Sequence, residues 1–279
     1  MMSARFLTVV LERAFNMRDG FGREIDYMRI SVIDSCNLNC YYCNPCDNNE
    51  HCHALNILSV KEVLCIVRAA TRLGIKHFRL TGGEPLLHPQ LDEMVLQIKK
   101  IPGVSSVSLT TNAVLLAQHA KWLKEAGIDS INVSLDTIDA SEYERITKKP
   151  LLEEVKHGIN AAIECGIRVK INVVLTPQTD VVALTRYVAK KGTDIRFIEM
   201  MPVGEGHTNG VEPYKKVIGT LSKLYGEPCR INTEKTKEIN SGNDKRKIPD
   251  NGPAEYYIFP ELGIRVGLIQ AIHGKFCDT

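Results

Sequence analysis

Six short stretches of this chain alternate apolar and polar residues, and between them apolar positions recur at helical spacing. The alternating stretches lie near residues 27–33, 75–81, 104–110, 130–135, 168–175 and 194–200. In the first, Arg29 and Ser31 oppose Met28, Ile30 and Val32; in the second, His77, Arg79 and Thr81 oppose Phe78 and Leu80. Ser106, Ser108 and Thr110 then oppose Val107 and Leu109, while Asn132, Ser134 and Asp136 oppose Ile131, Val133 and Leu135. Arg168, Lys170 and Asn172 oppose Val169, Ile171 and Val173. A period of two marks a strand with two unlike faces.

The segments between the strands follow one plan. An amphipathic stretch, a glycine, an isoleucine and a strand recur in "ATRLGIKHFRLT", "LKEAGIDSINVSLD" and "AIECGIRVKINVVL". Gly74, Gly127 and Gly166 fall where a helix would end in the left-handed conformation that glycine tolerates best. Ser59 and Glu62 form a capping box before a helix whose apolar positions are Val60, Val63, Leu64, Val67 and Leu73. Helix–strand repetition implies parallel strands joined by right-handed crossovers. Strands of a helix-covered parallel sheet are ordinarily apolar on both faces. Here one face is polar, as in a sheet curled around a wet, hydrophilic cavity; the alternative, a sheet with one solvent face, fits the intervening helices less well. The stretch "INTEKTKEINSGNDKRKIPDNGP" is polar and almost free of apolar residues, which predicts a loop or mobile insertion, and "EYYIF" and "GIRVGLI" after it predict a short pair of strands.

Composition narrows the picture. With 279 residues and 44% hydrophobic positions the chain can bury a full core, and a single α/β barrel fits its length. A formal net charge of +2 gives no whole-protein field for nucleic acid or membrane, so any preference for anions must come from locally placed bases. The amino-terminal "FLTVVLERAF" is too short and too charged for a signal peptide or a spanning helix, and the chain reads as cytoplasmic. Nine cysteines, an odd number scattered as far as Cys277, do not resemble a secreted disulfide framework.

Three of those cysteines sit together in "SCNLNCYYCNP": Cys36, Cys40 and Cys43, at the carboxyl end of the first strand. A C-x3-C-x2-C run fixes three sulfurs on one tight loop. Structural zinc wants four ligands, and iron–sulfur clusters are usually held by four thiolates. A cubane held by three would keep one iron open to another ligand. His51, Cys46, Cys52 and His53 lie just downstream, so a zinc site with a fourth ligand stays open at this point. Tyr42, between two of the cysteines, is placed to cover a flat ligand or to pack on the loop. The second strand closes in "TGGEP", whose glycines permit close backbone approach to a ligand and whose Glu84 adds a carboxylate.

The combination of C-x3-C-x-Y-C after the first strand with GGEP after the second resembles the radical S-adenosylmethionine superfamily. That resemblance implies a three-cysteine [4Fe–4S] cluster whose open iron chelates S-adenosylmethionine, and a 5′-deoxyadenosyl radical that abstracts hydrogen from a substrate. Further along, "LTTNA", "INVSLDTID", "VKINVVL", "RFIEMMPVG" and "GPAEYY" are similar to the GTP 3′,8-cyclase family of molybdenum-cofactor biosynthesis. On that similarity Arg29, Arg79, Thr110 and Lys170 match positions contacting GTP. Tyr42, Gly83, Ser134 and Met201 match positions around S-adenosylmethionine. The cyclases carry a second [4Fe–4S] cluster near the carboxyl end, and Cys277 in "HGKFCDT" matches its first ligand; the other ligands and the terminal double glycine have no counterpart before Thr279, which leads to the expectation of a truncated cyclase, inactive as it stands, with a natural short paralogue of another role as the alternative. Ser35, His77 and Asn44 also depart from the family's usual residues, and Cys46 and Cys52 have no family role.

Pattern and resemblance together predict an α/β fold, a partial (β/α)6 TIM-like barrel over residues 1–203 with a C-terminal β extension over 204–279. The expected reaction converts GTP to the 3′,8-cyclo nucleotide, with an electron donor of flavodoxin or ferredoxin type and a possible homodimer as partners. A radical enzyme acting on a peptide or other small molecule, and a non-catalytic zinc-binding scaffold, are the rival readings.

Overall fold

The computed structural model describes residues 17–20, 22, 24–43, 56–200, 213–231 and 254–270. Met201 and Cys277, with Cys46, Cys52 and most of the polar stretch before residue 254, lie outside the described residues.

Six strands form where alternation predicts them: β1 (Tyr27–Ser31), β2 (His77–Thr81), β3 (Ser106–Thr111), β4 (Ser130–Ser134), β5 (Arg168–Leu175) and β6 (Asp194–Glu199). They pair in parallel and in chain order. Between them run α1 (Val60–Arg72), α2 (Leu91–Lys99), α3 (Leu116–Glu125), α4 (Ala140–Thr147), α5 (Leu152–Glu164) and α6 (Val181–Lys190), followed by α7 (Pro213–Tyr225). Three further strands, β7 (Cys229–Ile231), β8 (Glu255–Ile258) and β9 (Arg265–Ile269), complete one open sheet in the order β1-β2-β3-β4-β5-β6-β9-β8-β7. The predicted pair corresponds to β8 and β9, which are antiparallel. β9 lies parallel against β6 and lengthens the barrel wall by one strand. No helix among the described residues is long and apolar enough to cross a membrane.

The outward face of the sheet is the core. Phe78, Leu80, Val107, Leu109, Ile131, Val133, Ile171, Val173, Ile195 and Phe197 are fully buried there. Burying each such side chain contributes about 1.5–3 kcal/mol. The helices cover them with matching stripes, Val63, Val67 and Ala70 on α1 and Met94, Val95 and Ile98 on α2. The Ser59–Glu62 capping box is present: the Glu62 N–H donates to Ser59 Oγ at 3.3 Å, and the Ser59 N–H donates to Glu62 Oε2 at 2.8 Å. Leu73, expected on the buried stripe, is 47% exposed, because α1 ends at Arg72 and the chain turns away before it can pack. Gly74, Gly127 and Gly166 adopt φ of 93°, 89° and 67°, the left-handed stops that the repeat predicts.

The inward face carries the polar positions of the strands. Ser108, Asn132, Lys170, Asp194 and Arg196 are buried there, Arg79 and Thr110 are half-buried, and Arg29 and Ser134 are exposed.

One close approach sets the mouth of the barrel. A Cβ on Gly158 of α5 would stand 2.4 Å from the Ala113 carbonyl oxygen and 3.0 Å from Leu116 Cβ. Ala113 in turn takes a left-handed φ of 65° in the loop after β3. Gly158→Ala should therefore destabilise the fold by about 1–3 kcal/mol, the usual cost of overpacking, as measured by urea unfolding.

Candidate functional site

The cysteine loop is docked on the carboxyl ends of four strands. Nothing in its own sequence would hold it there; its anchors come from elsewhere. The Gly83 N–H donates to the Ile33 carbonyl, and the Glu84 N–H to the Ser35 carbonyl, both at 2.7 Å. A Cβ on Gly83 would lie 2.2 Å from the Ser35 carbonyl oxygen, and one on Gly82 2.3 Å from that of Ile33. The two glycines of TGGEP thus serve the approach of the cysteine loop's backbone, where sequence alone suggested approach to a ligand. Further round the loop, the Asn39 and Tyr41 N–H groups donate to the carbonyls of Thr147 and Ile146 at the end of α4, at 3.0 and 3.1 Å.

Two buried carboxylates complete the frame. Glu84, read from sequence as a carboxylate near the ligand, is 1% exposed and spent on the protein. Its Oε1 accepts from the Leu86 N–H at 3.0 Å and the Thr111 hydroxyl at 2.7 Å, and its Oε2 from the Asn112 N–H at 2.7 Å. Burial raises the Glu84 carboxyl, and these bonds work against that rise. Asn112, so held, turns its Nδ2 to Asn37 Oδ1 at 2.7 Å and to Cys36 Sγ at 3.8 Å. Asp136, just beyond β4, accepts from the Tyr42 hydroxyl through Oδ2 and from the Val174 N–H at 2.8 Å through Oδ1. Tyr42 is therefore half-buried and tied by its hydroxyl across the barrel mouth, with the Tyr41 ring meeting its own edge-on at 5.3 Å.

The three thiols share one neighbourhood. Partial desolvation raises Cys36, an effect opposed by the Leu38 N–H at 3.5 Å and added to by Glu84 and Cys43. Cys40 is pushed up to about 12, first by burial and then by the charges of Asp136, Cys43 and Cys36. Cys36 and Cys40, so raised, keep their protons until a metal displaces them. Among the described residues no three His, Cys, Asp or Glu side chains are gathered where a single metal ion could sit. A cluster places its thiolates on separate irons, so its sulfurs need not converge on one point. Three mutually interacting thiols on one loop, one of them receiving N–H bonds, fit a cluster better than a lone zinc.

Around the loop the expected residues separate by depth. Gly83 and Ser134 are exposed at the mouth, and Ser134 lines a narrow crevice with Cys40, Tyr42, Asn112, Asp136 and Thr137. Arg29 and Arg79 are register partners on β1 and β2. Arg79 donates through Nε to Ser108 Oγ at 3.1 Å and stacks over the Tyr27 ring at 5.3 Å. Thr110 and Lys170 flank β4 in register, and Lys170 is buried, its ammonium 5.8 Å from the centre of the Tyr256 ring.

Asp194, Arg196 and Arg265 were not picked out from the sequence. Asp194 takes Arg265 through hydrogen bonds from Nε at 3.2 Å and from Nη2, and Arg168 at 3.5 Å. Burial by itself would raise this carboxyl; the bonds and charge of Arg265, with the charge of Arg168, outweigh it and hold Asp194 below the ordinary range. Arg196 donates to Asn172 Oδ1 at 2.9 Å, in space left by Gly267, where a Cβ would stand 2.7 Å from Arg196 Cγ. The alternation of "DIRFIE" carried the signal for Asp194 and Arg196, while Arg265 needs the β6–β9 pairing to join them.

Asp136 gives the site a pH signature. Burial raises its carboxyl to about 6, above its ordinary value of 3.8, despite the bonds from Tyr42 and Val174. The folded protein therefore holds a proton that the unfolded chain gives up between those values, and stability contributed here falls as pH rises through that window. In the metal-free protein, Asp136→Asn should gain on wild type by about 2–3 kcal/mol between roughly pH 4 and 7, checked by melting both across the range.

Comparison with known proteins agrees with this geometry. Residues 30–184 match the family model of the Radical SAM superfamily. GTP 3′,8-cyclases from Clostridium perfringens strain SM101 and Pelotomaculum thermopropionicum are 36% and 37% identical over 265 and 268 residues, 94% of this chain and 78% of each relative. That from Listeria monocytogenes EGD-e is 36% identical over 267 residues, 94% of this chain and 77% of its own. Among solved structures, Streptococcus suis SuiB bound to S-adenosylmethionine shares the fold at a TM-score of 0.56 and 18% identity, over 71% of this chain and 47% of that one. Methylornithine synthase (PylB) does so at 0.58 and 16%, over 81% and 71%. Read with the cysteine loop, its GGEP partner and the parallel half-barrel beneath them, these similarities mean that the chain belongs to the GTP 3′,8-cyclase family of the radical SAM superfamily.

Proposed function

We propose that this protein converts GTP to (8S)-3′,8-cyclo-7,8-dihydroguanosine 5′-triphosphate, a step of molybdenum-cofactor biosynthesis. The observation that carries the reading is the likeness to GTP 3′,8-cyclases along 94% of the chain, 36% identical in one relative. A [4Fe–4S] cluster with S-adenosylmethionine, when bound, supplies the radical that takes hydrogen from the ribose. The chain's own residues supply position and charge. Cys36, Cys40 and Cys43 would hold the cluster, with the N–H of Leu38 and the amide of Asn112 directed at the Cys36 sulfur. Tyr42, Gly83 and Ser134 would surround S-adenosylmethionine at the mouth, with Met201 as a fourth contact.

Arg29, Arg79, Thr110 and Lys170 would receive GTP on the inward face. Lys170 is buried, Arg79 half-buried and Arg29 exposed, and cations so grouped suit a triphosphate through charge-assisted hydrogen bonds. The remaining family features enter as proposals of lower resolution: a second [4Fe–4S] cluster with Cys277 among its ligands, a flavodoxin- or ferredoxin-type donor, and a homodimer, with residues from 204 onward forming the extension that completes the nucleotide end.

Two measurements test this. Anaerobic reconstitution with iron and sulfide should give a broad brown absorbance that Cys36→Ala greatly reduces; stoichiometric zinc without iron would overturn the cluster. Arg79→Ala and Lys170→Ala should each weaken GTP binding about 10–100-fold, the worth of a hydrogen bond to a charged group, while leaving S-adenosylmethionine binding intact. Variants indifferent to GTP would favour a radical enzyme with another substrate.

A further inference from the structure

One side chain on the inward face has no role in the site so far. Asn132, in the middle of β4, is 1% exposed, and neither its Nδ2 nor its Oδ1 has a hydrogen-bond partner. Burying an amide with both ends unmet is costly, and native proteins keep few such groups. Its setting explains why one is kept here. The register places Thr110 of β3 on one side of Asn132 and Lys170 of β5 on the other. Ser134 follows two residues on, on the same face.

We propose that Asn132 recognises the nucleoside part of the substrate, by bonding a group that donates and accepts side by side; this rests on the GTP reading above. A phosphate oxygen accepts only, so it would satisfy Nδ2 and repel Oδ1, and the neighbouring cations suit it better. A ribose hydroxyl, or the guanine edge with its N–H donors beside O6, meets both ends of the amide at once. The unmet amide in the ligand-free protein is then a site held ready. It would reject nucleotides that lack the partner group, because they leave its buried polar atoms unpaired.

The test compares wild type with Asn132→Leu in the anaerobically reconstituted protein. Calorimetric titrations use GTP, inosine triphosphate, 2′-deoxyGTP and inorganic tripolyphosphate; melting of the ligand-free proteins is measured alongside. Leucine keeps the shape and removes the desolvated dipole, so the variant should melt no lower than wild type. It should nevertheless bind GTP about ten-fold or more weakly, with tripolyphosphate binding unchanged. The penalty should shrink with 2′-deoxyGTP if the partner is the 2′-hydroxyl and persist there if it is the base; inosine triphosphate, which keeps N1–H beside O6, should share the penalty of GTP. Undiminished GTP affinity, or an equal loss for tripolyphosphate, overturns the assignment. Asn132→Ala, read by the same two titrations, decides the matter if leucine does not fit. A wild type that fails to bind GTP at all overturns the functional reading instead, and is told apart by the wild-type curve alone.

Discussion

Charge buried on the inner face of a parallel sheet is the constraint on which this structure turns. Lys170, Asp194 and Arg196 are almost wholly removed from water, and an isolated ion in such a place would be prohibitively costly. The fold answers with pairing. Asp194 neutralises part of the charge of Arg168 and Arg265, the Tyr256 ring faces both Lys170 and Arg265, and Asn172 takes Arg196. Because these contacts run from β5 through β6 to β9, the same electrostatics fasten the C-terminal strands to the barrel.

Rigidity at the barrel mouth comes from a second pair of buried carboxylates used as struts. Glu84 spans the loops after β2 and β3, and Asp136 ties the cysteine loop to the start of the turn after β4. Neither is available to a ligand while it serves this purpose. Their value lies in fixing Asn112 and Tyr42, which themselves touch or flank the cysteines; a reactive centre needs supporting contacts of this kind to hold its geometry. Asp136 carries an energetic penalty at neutral pH that the surrounding packing must offset, an example of stability yielded at a functional site.

Much of this was legible beforehand. The six parallel strands, the capping box at Ser59, the three left-handed glycine stops and the inward placement of Arg29, Arg79, Thr110, Ser134 and Lys170 all follow from local spacing. The depth of each polar group did not follow, since alternation reports which residues share a face and says nothing of how far each is buried. The short strand β7 was missed because three residues are too few to carry a period. Leu73 was placed on the wrong side because a helix boundary shifts by one residue where the cap forms.

By itself, then, the sequence determined the elements, their two-faced character and the clustering of three thiols after the first strand. Period, capping and glycine conformation are set within a few residues of each other, and the chain order of a helix–strand repeat leaves few topologies. Tertiary structure alone decided what each polar group meets: Tyr42 finds Asp136 across 94 residues of sequence, Glu84 finds Asn112 across 28, and Asp194 finds Arg265 across 71. It also decided that the amide of Asn132, with a few other buried polar atoms among the described residues, meets no partner within the protein. Such partnerships depend on strand register and loop closure, and in both a shift of one residue changes the partner while leaving every local pattern intact.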